Sequence, residues 1–152
     1  MPTYYCSFPS GNIPDSQKNA IAQAITERHT EATGAPGWFV QVIINEGEGQ
    51  QRYLGGERYD EHVWIRADIR AGRKKEQLES LITNILNDVS KISGISQDDI
   101  WIYLNNLEPE NMAEYGHILP PPGNEQSWFN ALPESLRNRL EALGVHPSRF
   151  TL

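Results

Sequence analysis

Three groups in this chain can do chemistry with few helpers. The first is an imino-acid nitrogen. The chain opens Met1-Pro2-Thr3, and a methionine followed by a small residue is a good substrate for initiator removal. That removal is expected here, and it leaves Pro2 with a free secondary amine. An α-amino group titrates at about 7.7–8.0, so such an amine can give or take a proton near neutrality. Read alone, Pro2 is more often an ordinary second residue. The second group is the guanidinium pair of Arg70 and Arg73, in the run Arg70-Ala71-Gly72-Arg73-Lys74-Lys75. The run opens a helix, where cations oppose the macrodipole. Arginine forks beside free helix N–H groups suit a carboxylate. The competing account is a solvated basic face paired with Glu76 or Glu79, which is the reading for Lys74 and Lys75. The third group is the imidazole of His29, whose meaning depends on the elements around it.

Those elements alternate. Thr3–Ser7 reads as a strand, and Pro14-Asp15 suits the first turn of a helix. Ile21, Ala22, Ile25 and Ala32 recur at helical spacing, and Gly34 stops the run. A second strand over 39–44 puts Val40, Val42 and Ile44 on one face. A polar, glycine-rich excursion around Arg52-Tyr53-Leu54 follows, then a third strand over 62–68. The second helix carries Leu78, Leu81, Ile82, Ile85, Leu86, Val89 and Ile92 and ends at Ser93-Gly94. A fourth strand begins at Ile100, with Ile102 and Leu104 on its face and Trp101 and Tyr103 on the other. From residue 108 an extension crosses Pro120-Pro121-Pro122-Gly123 and ends in a short helix over 133–143.

The two halves repeat. A shift of 60 lays Ile21 on Leu81, Ile25 on Ile85, Gly34 on Gly94, Val40 on Ile100 and Val42 on Ile102, with no gap expected. Each half is a β-α-β unit, about 2–45 and 62–105, inside a single domain spanning 1–152. Right-handed crossovers make the strands of each unit parallel. An α+β fold is expected, built from two tandem β-α-β units as a four-stranded sheet with both helices on one face. The other face needs cover, so the chain is expected to oligomerise. The shift places His29 on Val89, a core position, where a buried histidine bonding a backbone carbonyl is the plain reading. It places Pro2 on His62, at the start of a strand, which suggests an amine at a sheet edge.

Composition narrows the class. The 152 residues are 38% hydrophobic, enough for one core, and carry a net charge of −7. That balance argues against nucleic acid as the main partner. The mean hydropathy is −0.56, and no stretch reads as a membrane span or a secretory signal. An intracellular, cytoplasmic protein is expected. The single cysteine, Cys6, reads as a small buried hydrophobe. The four histidines, His29, His62, His117 and His146, share no metal-ligand spacing, so no metal or other cofactor is expected.

An amino-terminal proline, a duplicated β-α-β unit, a paired-arginine loop, and Ile100-Trp101-Ile102-Tyr103 followed by Met112-Ala113-Glu114-Tyr115-Gly116 together resemble the tautomerase superfamily. The likeness is greatest to its cis-3-chloroacrylic acid dehalogenase group, and continues through Leu119-Pro120-Pro121-Pro122-Gly123 and Trp128-Phe129. The resemblance implies that Pro2, His29, Tyr103 and Glu114 are catalytic and that Arg70, Arg73 and His29 bind the substrate carboxylate. It also implies a homotrimer. Glu114, oriented by Tyr103, would take a proton from water that attacks the β-carbon of a small unsaturated acid. Pro2, as the ammonium, would protonate the α-carbon. A 3-halo acrylate would then lose halide to give malonate semialdehyde, with no metal needed. Without the likeness, Glu114 is a surface glutamate on a helical turn, and Tyr103 is packing at a strand end. Nearby arginines favour a neutral amine, the base of a keto–enol tautomerase; a nearby carboxylate favours the ammonium of a hydratase. Glu114 tilts the reading to the hydratase. A tautomerase on a larger enol acid and a non-catalytic member of the fold are the alternatives.

Overall fold

A computed structural model describes residues 2–9, 11, 13–47 and 49–143. His146 and the last part of the extension lie outside the described residues. The chain runs β1 (Thr3–Ser7), α1 (Asp15–Thr33), β2 (Gln41–Asn45), a hairpin of β3 (Tyr53–Leu54) and β4 (Glu57–Arg58), then β5 (Val63–Arg70), α2 (Lys75–Ser93) and β6 (Ile100–Leu107). A second hairpin, β7 (Ala113–Glu114) and β8 (His117–Ile118), leads into α3 (Glu125–Ala131) and α4 (Glu134–Leu143). Among the described residues, no helix is long and apolar enough to cross a membrane.

The fold is α+β. Its main sheet has four strands in the order β2-β1-β5-β6, with β1–β2 and β5–β6 parallel and the central β1–β5 pair antiparallel. The helices are twins. Each has 19 residues, and each ends on a left-handed glycine whose N–H returns to the fourth carbonyl back, Gly34 to Thr30 and Gly94 to Ser90, both at 2.8 Å. A side chain there would be strained, which is why both runs stop at glycine. Ile21, Ile25 and His29 are the buried positions of α1; Leu81, Ile85 and Val89 are those of α2. The core between sheet and helices joins these aliphatics to Tyr4, Cys6, Phe8, Val63, Ile65 and Ala67. Arg28 and Asp88, themselves related by the repeat, pair across the two helices at 2.6 Å.

The repeat is not gapless. In the register of the sheet, Tyr4 lies beside Val42, and Ile65 lies beside Ile102. Since Val42 and Ile102 correspond by 60, Tyr4 corresponds to Ile65, and the first strands are offset by 61. One residue matters because side chains alternate faces along a strand. A shift of 60 lays core-facing Tyr4 and Cys6 on Trp64 and Arg66, which face away from the helices. The true offset lays Pro2 on Val63, not His62. Pro2 is buried at the end of a central strand rather than at a sheet edge, and its carbonyl accepts the Gln41 N–H at 3.0 Å.

Several elements differ from expectation, beginning with the second strand, which starts at Gln41 after a 3-10 turn over Gly37–Phe39 rather than at residue 39. β5 runs on to Arg70, so this arginine ends a strand and stands before the loop to α2. Residues 113–118 form a hairpin, so Glu114 is not on a helical turn: Tyr115 and Gly116 have φ of 53° and 82°, the paired left-handed residues of a tight hairpin turn. The extension holds an unexpected helix, α3. Its Trp128 and Phe129 join Trp38, Phe39 and Tyr115 in aromatic clusters that dock the extension beside the first crossover. The sheet face away from the helices carries Ile43, Trp101 and Tyr103, all exposed.

Candidate active site

The site forms where β1 begins and β5 ends, between the C-terminal end of α1 and the extension. His29 is one helical turn beyond Ile25, on the stripe that faces the sheet. It is 2% exposed, and its Nδ1 lies 2.8 Å from the hydroxyl of the fully buried Tyr4. Its Nε2 is buried and has no partner among the described residues. Burial, then the positive charge of the amino terminus, then Arg73 and Arg70, push the imidazole down to about 3. The ring is neutral at any ordinary pH.

Arg70 is as buried as His29. One terminal nitrogen donates to the Pro120 carbonyl at 2.6 Å, the other to the Glu125 carboxylate, and its Nε is a buried donor without a partner among the described residues. Glu125 opens α3, and its other oxygen accepts the Gly123 N–H at 2.8 Å. Burial opposes ionisation of Glu125, but hydrogen bonds from its own N–H, from Arg70 and from Gly123 hold the carboxyl below the usual range. Arg73 reaches the Thr33 carbonyl at 3.4 Å and is pushed down by burial and by Arg70, with Glu125 opposing. Between the arginines, Gly72 has φ 102°, and a Cβ there would meet Pro122 Cγ at 2.8 Å. Only glycine lets the arginine loop lie against the extension. The arginine pair therefore faces the extension rather than the mouth of α2. There the Lys74 N–H is already donated to Gln77 at 2.9 Å.

Glu114 stands on β7 in a cavity of about 600 Å³ walled by Thr3, Trp38, Phe39, Leu107 and Met112. Burial raises its carboxyl; the amino-terminal charge and Arg70 pull the other way without winning. Glu114 and His29 thus both feel the amino terminus and Arg70. Five of the six expected residues, Pro2, His29, Arg70, Arg73 and Glu114, gather at this end of the sheet. Tyr103 does not. It lies on the open face, 54% exposed, edge-on to Trp64 at 6.0 Å and beside Arg66 in the register. It is four residues from Leu107 on β6, or roughly 13 Å along the strand.

Comparisons with known proteins agree with this architecture. The family described as putative oxalocrotonate tautomerase matches residues 1–131. A crystal structure of N1, a member of the cis-3-chloroacrylic acid dehalogenase family, is 37% identical. It superposes at a TM-score of 0.87 over 92% of this chain and 99% of its own. The chain belongs to the tautomerase superfamily, in the cis-3-chloroacrylic acid dehalogenase group. Two more distant structures with the same fold are a fused 4-OT solved as an asymmetric trimer and the macrophage migration inhibitory factor of Toxoplasma gondii. The first has 20% identity and a TM-score of 0.70 over 76% of this chain and 94% of its own. The second has 17% identity and a TM-score of 0.67 over 77% and 99%. No curated protein matches the chain.

Within this tautomerase-superfamily site, two residues escaped the sequence reading. Tyr4 was hidden by the offset: laid on Trp64 it points away from the core, whereas laid on Ile65 it is a polar residue at an apolar position. That contrast was available as a signal. Glu125 had none, because its tie to Arg70 spans 55 residues and follows no local pattern.

Proposed function

We propose that the chain is a cofactor-independent hydratase and hydrolytic dehalogenase of small unsaturated carboxylic acids such as 3-chloroacrylate. The observation that carries this reading is the position of Glu114, within electrostatic reach of both the amino terminus and Arg70 and raised by burial. A carboxylate with a raised pKa beside an amine and a guanidinium is suited to accept a proton from water. Support for an anion seat comes from two buried nitrogens without partners among the described residues, His29 Nε2 and Arg70 Nε, with Arg73 near them.

With Met1 removed, Pro2 carries the amine. Arg70, Arg73 and His29 hold the substrate carboxylate and draw electrons from the β-carbon. Glu114 takes a proton from water, whose oxygen bonds to the β-carbon. The Pro2 ammonium gives its proton to the α-carbon. The resulting 3-chloro-3-hydroxypropanoate loses chloride and the hydroxyl proton to give malonate semialdehyde. Tyr103 orients Glu114 from a neighbouring subunit, because its own strand carries it away from the cavity. A homotrimer sealed through the open sheet face brings the two together, as the exposed Trp101, Tyr103 and Ile43 require cover.

Incubation with cis- and trans-3-chloroacrylate and with propiolate, reading chloride and semialdehyde, tests the assignment. Turnover lost in Pro2→Ala and in Glu114→Gln supports it. Absence of turnover on all three acids removes it. One observation favours a second reading, keto–enol tautomerisation with Pro2 as base. The cavity is far roomier than a three-carbon acid needs, and Trp38, Phe39 and Met112 give it an apolar wall. Ketonisation of an aryl-substituted enol acid, followed by ultraviolet absorbance, separates the two.

A further inference from the structure

We propose that Tyr4 is a positioning residue: its hydroxyl donates to His29 Nδ1 and so fixes the imidazole as the tautomer that presents an Nε2–H to the bound carboxylate. This rests on the reading of His29 as a donor to substrate. A neutral imidazole has one N–H, and the partner of one nitrogen decides which. Burial holds the Tyr4 phenol protonated, pushing it well above the ordinary tyrosine range. Its hydroxyl has one hydrogen-bond partner among the described residues, His29 Nδ1 at 2.8 Å.

Suppose the proton sat on Nδ1. The ring would then donate to the Tyr4 oxygen, and the Tyr4 proton would be buried with no acceptor. An orphaned buried O–H is costly. With the proton on Nε2, Nδ1 accepts from Tyr4 and both groups are satisfied. The remaining donor, Nε2–H, has no partner, is buried, and lies in the field of Arg70, Arg73 and the amino terminus. Arg70 Nε is orphaned in the same region. A carboxylate seated there would give the His29 donor its partner.

The repeat shows that the fold itself does not need this pair. The corresponding strand and helix positions in the second half are Ile65 and Val89, both fully buried, and there the seam is closed by hydrocarbon alone. A tyrosine and a histidine facing each other at these two positions serve the site.

The test is nitrogen NMR of the imidazoles in the full-length labelled protein, with His29→Val giving the assignment. In the wild type His29 is expected to carry its proton on Nε2, with Nδ1 as an acceptor, and added propionate is expected to shift the Nε2–H signal. Tyr4→Phe removes one oxygen at constant shape. It is expected to populate the Nδ1–H tautomer and to raise KM for 3-chloroacrylate about tenfold, with kcat within about twofold. A wild-type ring protonated on Nδ1 overturns the proposal. So does a Tyr4→Phe protein with unchanged tautomer and unchanged KM. Should Tyr4→Phe fail to fold, the wild-type tautomer decides alone. If no acrylate is turned over, the hydratase reading falls, while the tautomer and the propionate shift still judge Tyr4.

Discussion

The two β-α-β halves share helix length, capping glycines and core spacing, yet only one seam between strand and helix is polar. In the first half Tyr4 meets His29; in the second the same two positions are Ile65 and Val89. The loops differ in the opposite sense. The second half places Arg70 and Arg73 between strand and helix, and the extension locks onto that loop through Pro120, Pro122 and Glu125. The first half has Pro9 and Ile13 in comparable places. Duplication supplies a scaffold that folds on apolar contacts. The candidate site comes from the departures: a polar seam from one half, a cationic loop from the other, and a carboxylate hairpin from outside both. The polarity of the candidate site is thereby spread over elements whose equivalents carry the apolar core.

Breaking the cationic loop has the largest expected effect. Arg70→Ala takes the bonded partner from Glu125, a part-buried carboxylate of the extension, and leaves only the more distant Arg73. Removing one partner of a fully buried pair costs about 3–5 kcal/mol, and with Glu125 partly exposed the loss should lie at the low end, about 3 kcal/mol. Denaturant unfolding should show that loss, and the matching variant in the first half, Pro9→Ala, should cost less. A milder form reads the same contact through pH. The Glu125 carboxyl lies below its unfolded range, so its contribution is full above the unfolded pKa and fades as pH falls through the folded value. Glu125→Gln should therefore lose stability at neutral pH and show a smaller acid dependence than the wild type.

Making the second seam resemble the first comes next. Val89→His puts an imidazole against Ile65, where nothing can accept or donate. A buried polar group without a partner costs roughly 1–3 kcal/mol, and the overfilled position adds to it. The double variant Val89→His with Ile65→Tyr should recover part of the loss. No recovery in thermal melts would mean that the first seam depends on more than its two polar residues.

Making the first seam resemble the second has the inverse signature. His29→Val should lower kcat/KM on unsaturated acids by roughly ten- to a hundredfold, the cost of a hydrogen bond to a charged group, while the fold persists. The sign of its pH effect is fixed by the depressed imidazole. Unfolded histidine binds a proton below about 6.5, whereas the folded ring holds out to about 3. The wild type therefore loses stability as pH falls across that window, by up to about 1.4 kcal/mol per unit. His29→Val should be flatter between those limits, as read from unfolding at several pH values.

How much of this was legible in the residues follows from which interactions are local. Helix stripes, stop glycines and alternating strands are written within a few positions, so the α+β duplication and the correspondence of Val42 to Ile102 could be read directly. The offset of the first strands shows only in the alternation of β5 against β1, because the helices and the strands after them match without a gap, and the sheet ladder decides it. The same limit hid Tyr4 and misplaced Pro2. Glu114 was named by resemblance, but its hairpin depends on Tyr115 adopting a left-handed backbone, which a tyrosine rarely does. Glu125 and Pro120 reach Arg70 across the whole extension. Tyr103 is placed by its strand on the open face, so any role for it belongs to an assembled protein.

The smallest predicted effect tests the symmetry itself. Arg28 and Asp88 are one position of the repeat seen twice, and they face each other across the helix pair at 2.6 Å, each partly exposed. A residue that contacts its own equivalent sits on the pseudo-twofold axis, as at an isologous interface. Exchanging the two charges should then restore the same contact with its direction reversed. Arg28→Asp or Asp88→Arg alone places like charges together and should cost about 0.5–1 kcal/mol, the scale of a partly exposed ion pair. The double exchange should return to within a few tenths of a kcal/mol of the wild type in a double-mutant cycle. A shortfall would measure the one asymmetry at this position, Arg28's further bond to Glu31 at 2.9 Å, whose place in the second helix is taken by Lys91. Moving the arginine to 88 sets it near that lysine instead. The residual of the cycle thus reports how far the halves have diverged where they still touch as equals.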